Sequence, residues 1–291
     1  MMIADLNLSK KQQTISSDIS IHGVGMHSGE KVNINIQPAK VNSGIKFIRT
    51  DLVGKNVIDA IWSNVSSTNL CTTISNGNGV SVSTIEHLMS ALSGMHVDNA
   101  IILIDSSEVP VMDGSSLPFV ELLETSGIES QEIDRQIMII KKEVMVSQND
   151  SFAKITPNKH FSIDFEIDFS SHLINKQACQ LQLVNGNYKS DISAARTFGF
   201  EKDVDYLRAN GFALGGSLDN AVVVGDNNIL NEEGLRFDDE FVRHKILDSI
   251  GDLYLAGKPI QGYFYGNKSG HFLNNQLLRK LFSDSANFEL V

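Results

Sequence analysis

The chain has 291 residues, a length at which single hydrophobic cores tend to split, so one large domain or two modest ones are expected. Hydrophobic residues at 42% and charged residues at 20% exclude a disordered chain or a long coiled coil. The formal net charge of -11 repels polyanions and no local basic cluster offsets it, so nucleic acid is excluded as the expected partner.

In chain order, the segment from Met1 through Ser20 is polar and lacks the apolar stretch of a signal peptide. From Thr14 to about Arg49 polar and apolar residues alternate, most clearly over Lys31 to Ile36, which is the period-2 pattern of half-buried strands. A Ser/Thr/Asn-rich stretch around Asn64 to Ser81 follows. A helix is predicted over Thr84 to Leu92, where Ile85, Leu88, Met89 and Leu92 share a face, with Ser83 as N-cap and Gly94 as stop. A strand over Asn99 to Ile104 comes next, and Asp113 opens the capped start of a helix running to about Thr125. The charged run Gly127 to Gln136 breaks the pattern, and the domain boundary is placed there, giving domains 1-130 and 131-291.

Strands return over Ile137 to Val146, Phe152 to Ile155 and Phe161 to Phe169. Two further helices are predicted over Glu201 to Ala209, stopped by Asn210 and Gly211, and over Phe241 to Ala256, stopped by Gly257 and Pro259. Each half reads as strands plus two helices, hence an α+β fold, and the similar element order hints at an old duplication. The longest apolar runs, Ile101 to Ile104 and Ala221 to Val224, are strand-sized, so no transmembrane segment is expected. Cys71 and Cys179 are far apart and outside any C-x-x-C spacing, which suggests neither a disulfide framework nor a thiolate metal site and fits a reducing, cytoplasmic compartment.

Chemistry concentrates in two helices. His244 and Asp248 are four apart, so both project from one helix face with Cβ atoms about 5 to 6 Å apart, suited to gripping one metal ion. Taken alone this spacing is more often an exposed helix-supporting pair. Ile246, Leu247, Ile250 and Leu253 bury the same helix, so its polar residues are candidates to line a cleft. The dipeptide Glu86-His87 supplies a further imidazole that would complete a His2Asp set, with a carboxylate beside it to take a proton from water. His271, in an expected loop after Lys268-Ser-Gly270, is a candidate general acid. His22, His27, His96, His160 and His172 have no partner visible in the sequence; His27 alone of these sits in a Gly-rich turn. Gly23 to Gly29 has one residue too many for a dinucleotide fingerprint, and no nucleophile elbow occurs.

Six ordered motifs, around Gly23 to Gly29, Ser83 to Leu88, Met112 to Ser115, Ala195 to Phe200, His244 to Leu253, and Gly270-His271, span nearly the whole chain. Together they resemble the signatures of the UDP-3-O-acyl-N-acetylglucosamine deacetylases, the zinc-dependent family that commits bacteria to lipid A synthesis. The resemblance implies two similar domains, each a sheet layered with two helices, the helices facing one another in a β-α-α-β sandwich. It implies that His87, His244 and Asp248 bind zinc, with iron(II) also tolerated by such a set, and that Glu86 is the general base. It further implies that Thr197 hydrogen-bonds the oxyanion, that Lys245 adds positive charge, and that His271, oriented by Asp252, protonates the leaving amine. Phe198, Phe200 and Gly216 would line the substrate path. The implied substrate is UDP-3-O-acyl-N-acetylglucosamine, handled by a monomer. Asn69 departs from the family pattern beside Leu70-Cys71, a difference that bears on the acyl passage. A silent binder of the same fold would be expected to lack a ligand or the base, whereas a metal amidase acting on another acylated sugar would share the motifs.

Overall fold

The computed structural model describes residues 10–183 and 186–291, so Met1 to Ser9 of the expected polar N-terminus lie outside the described residues. Two five-stranded sheets organise the chain. The first places Ile19–Val24, Lys31–Pro38, Ala100–Ile104, Ile45–Arg49 and Val57–Asp59 side by side in that order. The second places Val144–Gln148, Ser151–Thr156, Tyr263–Asn267, Ser162–Asp168 and Lys176–Gln182 likewise. Numbered along the chain, both have the order 1-2-5-3-4, and in both the pairing of the fifth strand with the third is the parallel one while the others are antiparallel. The hint of duplication in the element order is matched strand for strand.

Six helices are described: α1 (Glu86–Gly94), α2 (Leu117–Ser126), α3 (Asn187–Asp191), α4 (Glu201–Ala209), α5 (Glu240–Tyr254) and α6 (His271–Phe282). In the first half α1 precedes the central fifth strand and α2 follows it; α5 and α6 stand in the same relation to the second sheet. Strand periodicity decides what each sheet buries. Along Lys31–Pro38, Val32, Ile34 and Ile36 point inward while Lys31 and Asn33 face water. The buried faces of both sheets and both central helices join one continuous apolar core. Each fully buried Leu or Ile in it contributes roughly 1.5–3 kcal/mol relative to exposure.

Helices α1 and α5 lie directly against each other, making the mixed α+β sandwich. Gly251 permits that approach, because a Cβ there would collide with the backbone carbonyl of Glu86. The polar residues of α5, His244, Asp248, Ser249 and Asp252, are consequently as buried as its apolar ones.

Several local readings change. α1 begins at Glu86, not at Thr84, which has a φ of 56°, and Ser83 does not cap it: its Oγ donates to the Ser107 carbonyl at 3.1 Å. Gly94 is the last helical residue rather than a stop beyond the helix, and it makes room for the Tyr188 ring. Asp113 accepts from the N–H of Ser115 at 3.0 Å, before α2 starts, so it braces the turn instead of the helix end. The run after Gly127 is a strand, Ile128–Asp134, paired with Lys11–Ile15; its charges are tolerated because most of its side chains face solvent. The Ser/Thr-rich stretch forms a small sheet of Val65–Ser67, Thr73–Ser75 and Ser81–Val82.

The largest revision concerns the second half. The helix that matches α2 is α6, which opens at His271 where a loop was expected. Its Leu273, Leu277, Leu278 and Leu281 are buried at helical spacing, but Gly270 precedes it with no side-chain cap, so the start lacks the usual signal. The expected helix over Glu201 to Ala209 is present as α4, yet it buries no residue and belongs to an excursion between the parallel strands Phe198–Phe200 and Val222–Val224.

Candidate metal centre and catalytic cleft

One turn of α5 brings His244 Nε2 to 3.3 Å from Asp248 Oδ1, and the first turn of α1 brings His87 Nε2 to 3.4 Å from the same oxygen. The three ligand atoms lie within 4.8 Å of one another, and all three residues are buried. The two imidazoles stand edge to face with centroids 5.0 Å apart. Asp248 Oδ2 accepts from Lys245 Nζ at 2.6 Å, whereas Oδ1 is buried with no hydrogen-bond partner among the described residues. A buried carboxylate oxygen left without a donor is costly, and a cation between it and two imidazole nitrogens removes the penalty.

Protonation fits the same reading. Burial pushes the His244 imidazole down to about 3, so it is neutral near pH 7. Its Nδ1 lies 3.1 Å from the Ala195 carbonyl, which places the proton there and leaves the Nε2 lone pair facing the cluster. Burial also opposes ionisation of Asp248, but the neighbouring imidazoles and the ammonium of Lys245 outweigh it and hold the carboxyl well below the usual range; with His244 neutral, Lys245 and the protonated His271 still act on it. The donor set, two neutral imidazoles and one carboxylate with room beside them, suits a divalent metal of the first transition row.

Beside this cluster stand an anionic and a cationic proton carrier. Glu86 Oε1 lies 3.8 Å from His271 Nε2, and burial raises the Glu86 carboxyl above its ordinary value. His271 Nδ1 lies 2.8 Å from Asp252 Oδ2. Burial disfavours the imidazolium, but the carboxylates of Asp252 and then Glu86 overcome it and raise His271 to about 9, leaving it protonated at neutral pH.

Residues 12–283 match the family model for UDP-3-O-acyl N-acetylglycosamine deacetylase. The chain belongs to that family. Among its relatives, the UDP-3-O-acyl-N-acetylglucosamine deacetylase of Syntrophus aciditrophicus is 49% identical over 277 residues, covering 95% of this chain and 88% of its own. The deacetylase of the same name from Shewanella violacea is 48% identical over 282 residues, covering 96% and 92%. This deacetylase family is one of metalloenzymes, in keeping with the buried His-His-Asp cluster.

In this member of the deacetylase family the cluster lines a cavity of about 520 Å³. Glu86, His87, His244, Lys245, Asp248 and His271 line it together with Thr197, Phe198, Phe200 and Gly216. Asp252 stands behind His271 rather than on the cavity wall. Thr197 is fixed by its N–H, which donates to the Gly114 carbonyl at 2.7 Å. Phe198 packs edge to face on Phe241 at 4.9 Å and on Phe169 at 5.6 Å, so it is a rigid wall. The β-α-β excursion that carries α4 adds Val204 and Leu207 to the lining.

Three residues at the site escaped the sequence reading. His27 lines the cavity from the Gly-rich turn, with its Nδ1 facing the N–H of Ala213 at 3.4 Å. That turn is pinned by Glu108, which accepts from the N–H groups of His27 and Ser28 at 2.9 and 2.8 Å. Thr72 and Asn274 each donate to Asp252, at 2.6 and 2.9 Å. The glycine cluster was a usable signal for His27; nothing in the local sequence marks Thr72 or Asn274. Cys71 is buried and its thiol is pushed up to about 12, so it is not a thiolate near pH 7.

Proposed function

We propose that the chain hydrolyses the N-acetyl group of UDP-3-O-acyl-N-acetylglucosamine to give UDP-3-O-acyl-glucosamine and acetate, the committed step of lipid A synthesis. The observation that carries this reading is the unpartnered, buried Oδ1 of Asp248 between two imidazole nitrogens, flanked by a carboxylate and a protonated imidazole. A divalent metal held by His87, His244 and Asp248, zinc in our reading with iron(II) tolerated by the same donors, would polarise the amide carbonyl and lower the pKa of the attacking water from about 15.7 towards 7.

The chain's own groups handle the protons. Glu86 Oε1 takes one proton from the water, and its raised affinity for protons makes it a better base than an exposed carboxylate. The water oxygen bonds to the acetyl carbon, and negative charge gathers on the former carbonyl oxygen. Thr197 donates a hydrogen bond to that oxyanion and Lys245 adds positive charge, both from the cavity wall. His271 gives its proton to the amide nitrogen as the C–N bond breaks, so that the amine leaves neutral. Asp252 keeps the ring oriented through Nδ1. Phe198, Phe200 and Gly216 border the path of the acylated sugar.

We read the chain as acting as a monomer. Two free, buried cysteines support a reducing, cytoplasmic setting. We also propose two domains, 1-130 and 131-291, since each five-stranded sheet is built wholly on one side of that boundary, although the strand Ile128–Asp134 crosses it. Metal analysis together with acetate release from the nucleotide sugar tests the function. One divalent metal per chain and chelator-sensitive release are expected; metal-loaded protein that yields no acetate would overturn the reading.

A further inference from the structure

The acid and the base of this site meet at one residue that belongs to neither helix. Thr72 is 2% exposed and sits between the short strands Val65–Ser67 and Thr73–Ser75, two residues after Leu70, whose φ of 64° turns the chain inward. Its three polar atoms point three ways. The carbonyl accepts from the N–H of Ile85 at 3.4 Å, at the entry to α1. The N–H donates to Glu86 Oε2 at 3.0 Å. The hydroxyl donates to Asp252 Oδ1 at 2.6 Å, across 180 residues of sequence.

Each bond settles which oxygen of a carboxylate is free to act. With Oε2 of Glu86 occupied by Thr72, Oε1 is the oxygen turned to His271 Nε2 at 3.8 Å. With Oδ1 of Asp252 occupied by the Thr72 hydroxyl, Oδ2 is the oxygen that meets His271 Nδ1 at 2.8 Å. Asn274, fully buried at the start of α6, also donates to Oδ2 at 2.9 Å. The carboxylate of Asp252 thus has a donor on each oxygen and little freedom to rotate.

We propose that Thr72 is a positioning residue that ties the proton-accepting carboxylate and the partner of the proton-donating imidazole to one residue, holding both in register across the two halves. This rests on the deacetylase reading above. Because the two carriers must act on the same amide at nearly the same place, a loss of register lowers turnover with little change in substrate binding.

Thr72→Val keeps shape and the backbone N–H to Glu86 but removes the hydroxyl; Thr72→Ser keeps the hydroxyl. In acetate-release kinetics on metal-loaded protein, Thr72→Val should lower kcat about 10- to 100-fold, the range for losing a hydrogen bond to a charged group, with KM and metal content near the parent's. Thr72→Ser should restore most of the rate. A Thr72→Val enzyme with parental kcat, or a Thr72→Ser enzyme as slow as Thr72→Val, would overturn the proposal. Should Thr72→Val not fold, Thr72→Ala carries the same comparison with serine. If the parent itself releases no acetate, the functional reading fails separately, and the downfield proton resonance of His271 Nδ1, identified by its absence in His271→Ala, still decides: it must move in Thr72→Val and stay in Thr72→Ser, and an unmoved resonance in Thr72→Val overturns the proposal.

Discussion

The two halves share one strand order and one helix placement, yet they contribute unequally to the cleft. From the first half α1 sends Glu86 and His87; α2, which opens on Leu117 and Pro118, sends nothing. From the second half α5 sends His244, Lys245 and Asp248, with Asp252 behind, and α6, in the position equivalent to α2, opens on His271. A repeated scaffold therefore fixes where side chains can be aimed, while chemistry depends on which copy bears a polar residue at the shared point. The cluster takes one ligand from the first half and two from the second, so it is complete only while α1 and α5 stay in contact.

The comparison breaks most severely where the second half supplies two of the three proposed ligands. His244→Ala should bring activity to background and abolish tight metal binding, read by metal analysis after dialysis; stoichiometric metal in a His87, His244 double variant would rule the site out. In the first half, Glu86→Gln should keep the metal and lose about a hundredfold or more in turnover, because the amide preserves shape without accepting a proton. A near-normal rate would assign water activation to another group.

The contact between the halves is tested by Gly251→Ala. The added methyl meets the Glu86 carbonyl, so about 1–3 kcal/mol of stability should be lost by denaturant unfolding, together with turnover and metal affinity. Unchanged activity would show that the separation of α1 and α5 is not critical. The asymmetry between α2 and α6 is tested by pH. As the proposed general acid, His271 works in its protonated form, and its pKa is raised to about 9, so activity should fall as pH rises through that value. His271→Ala should lower turnover and remove this limb while leaving metal content intact. The smallest effect expected is for Ser83→Ala, within about 0.5 kcal/mol, since Ser83 does not serve as the cap of α1, a role whose loss typically costs about 1 kcal/mol.

These effects separate what could be read locally from what could not. His244 and Asp248 are four apart on a helix with an apolar face, so spacing alone brought them together. Glu86 and His87 are adjacent, and their meeting with α5 was implied by the family resemblance. The start of α6 was missed because Gly270 offers no capping oxygen, although the leucines beyond it carry the helical period. Thr72 illustrates a deeper limit. Its hydroxyl partner is 180 positions away, and an isolated threonine in a Ser/Thr-rich stretch has no periodicity to exploit. The strand order also lay beyond local reading, since Ala100–Ile104 and Tyr263–Asn267 enter the centres of their sheets from the end of each strand series.

That late central strand sets an order of events during folding. In each half the first two strands form one local hairpin and the third and fourth another, and both hairpins expose an open edge until the fifth strand enters between them. Such non-local closure is slow relative to hairpin formation. On the ribosome the first sheet cannot close until residue 104 is available, and the second waits for residue 267. His271 follows four positions later, so completion of the second sheet and delivery of this imidazole are nearly the same step. A nascent chain stalled before that point carries His244 and Asp248 on a half whose central gap is still open, and pairing of that gap with another chain competes with its own last strand.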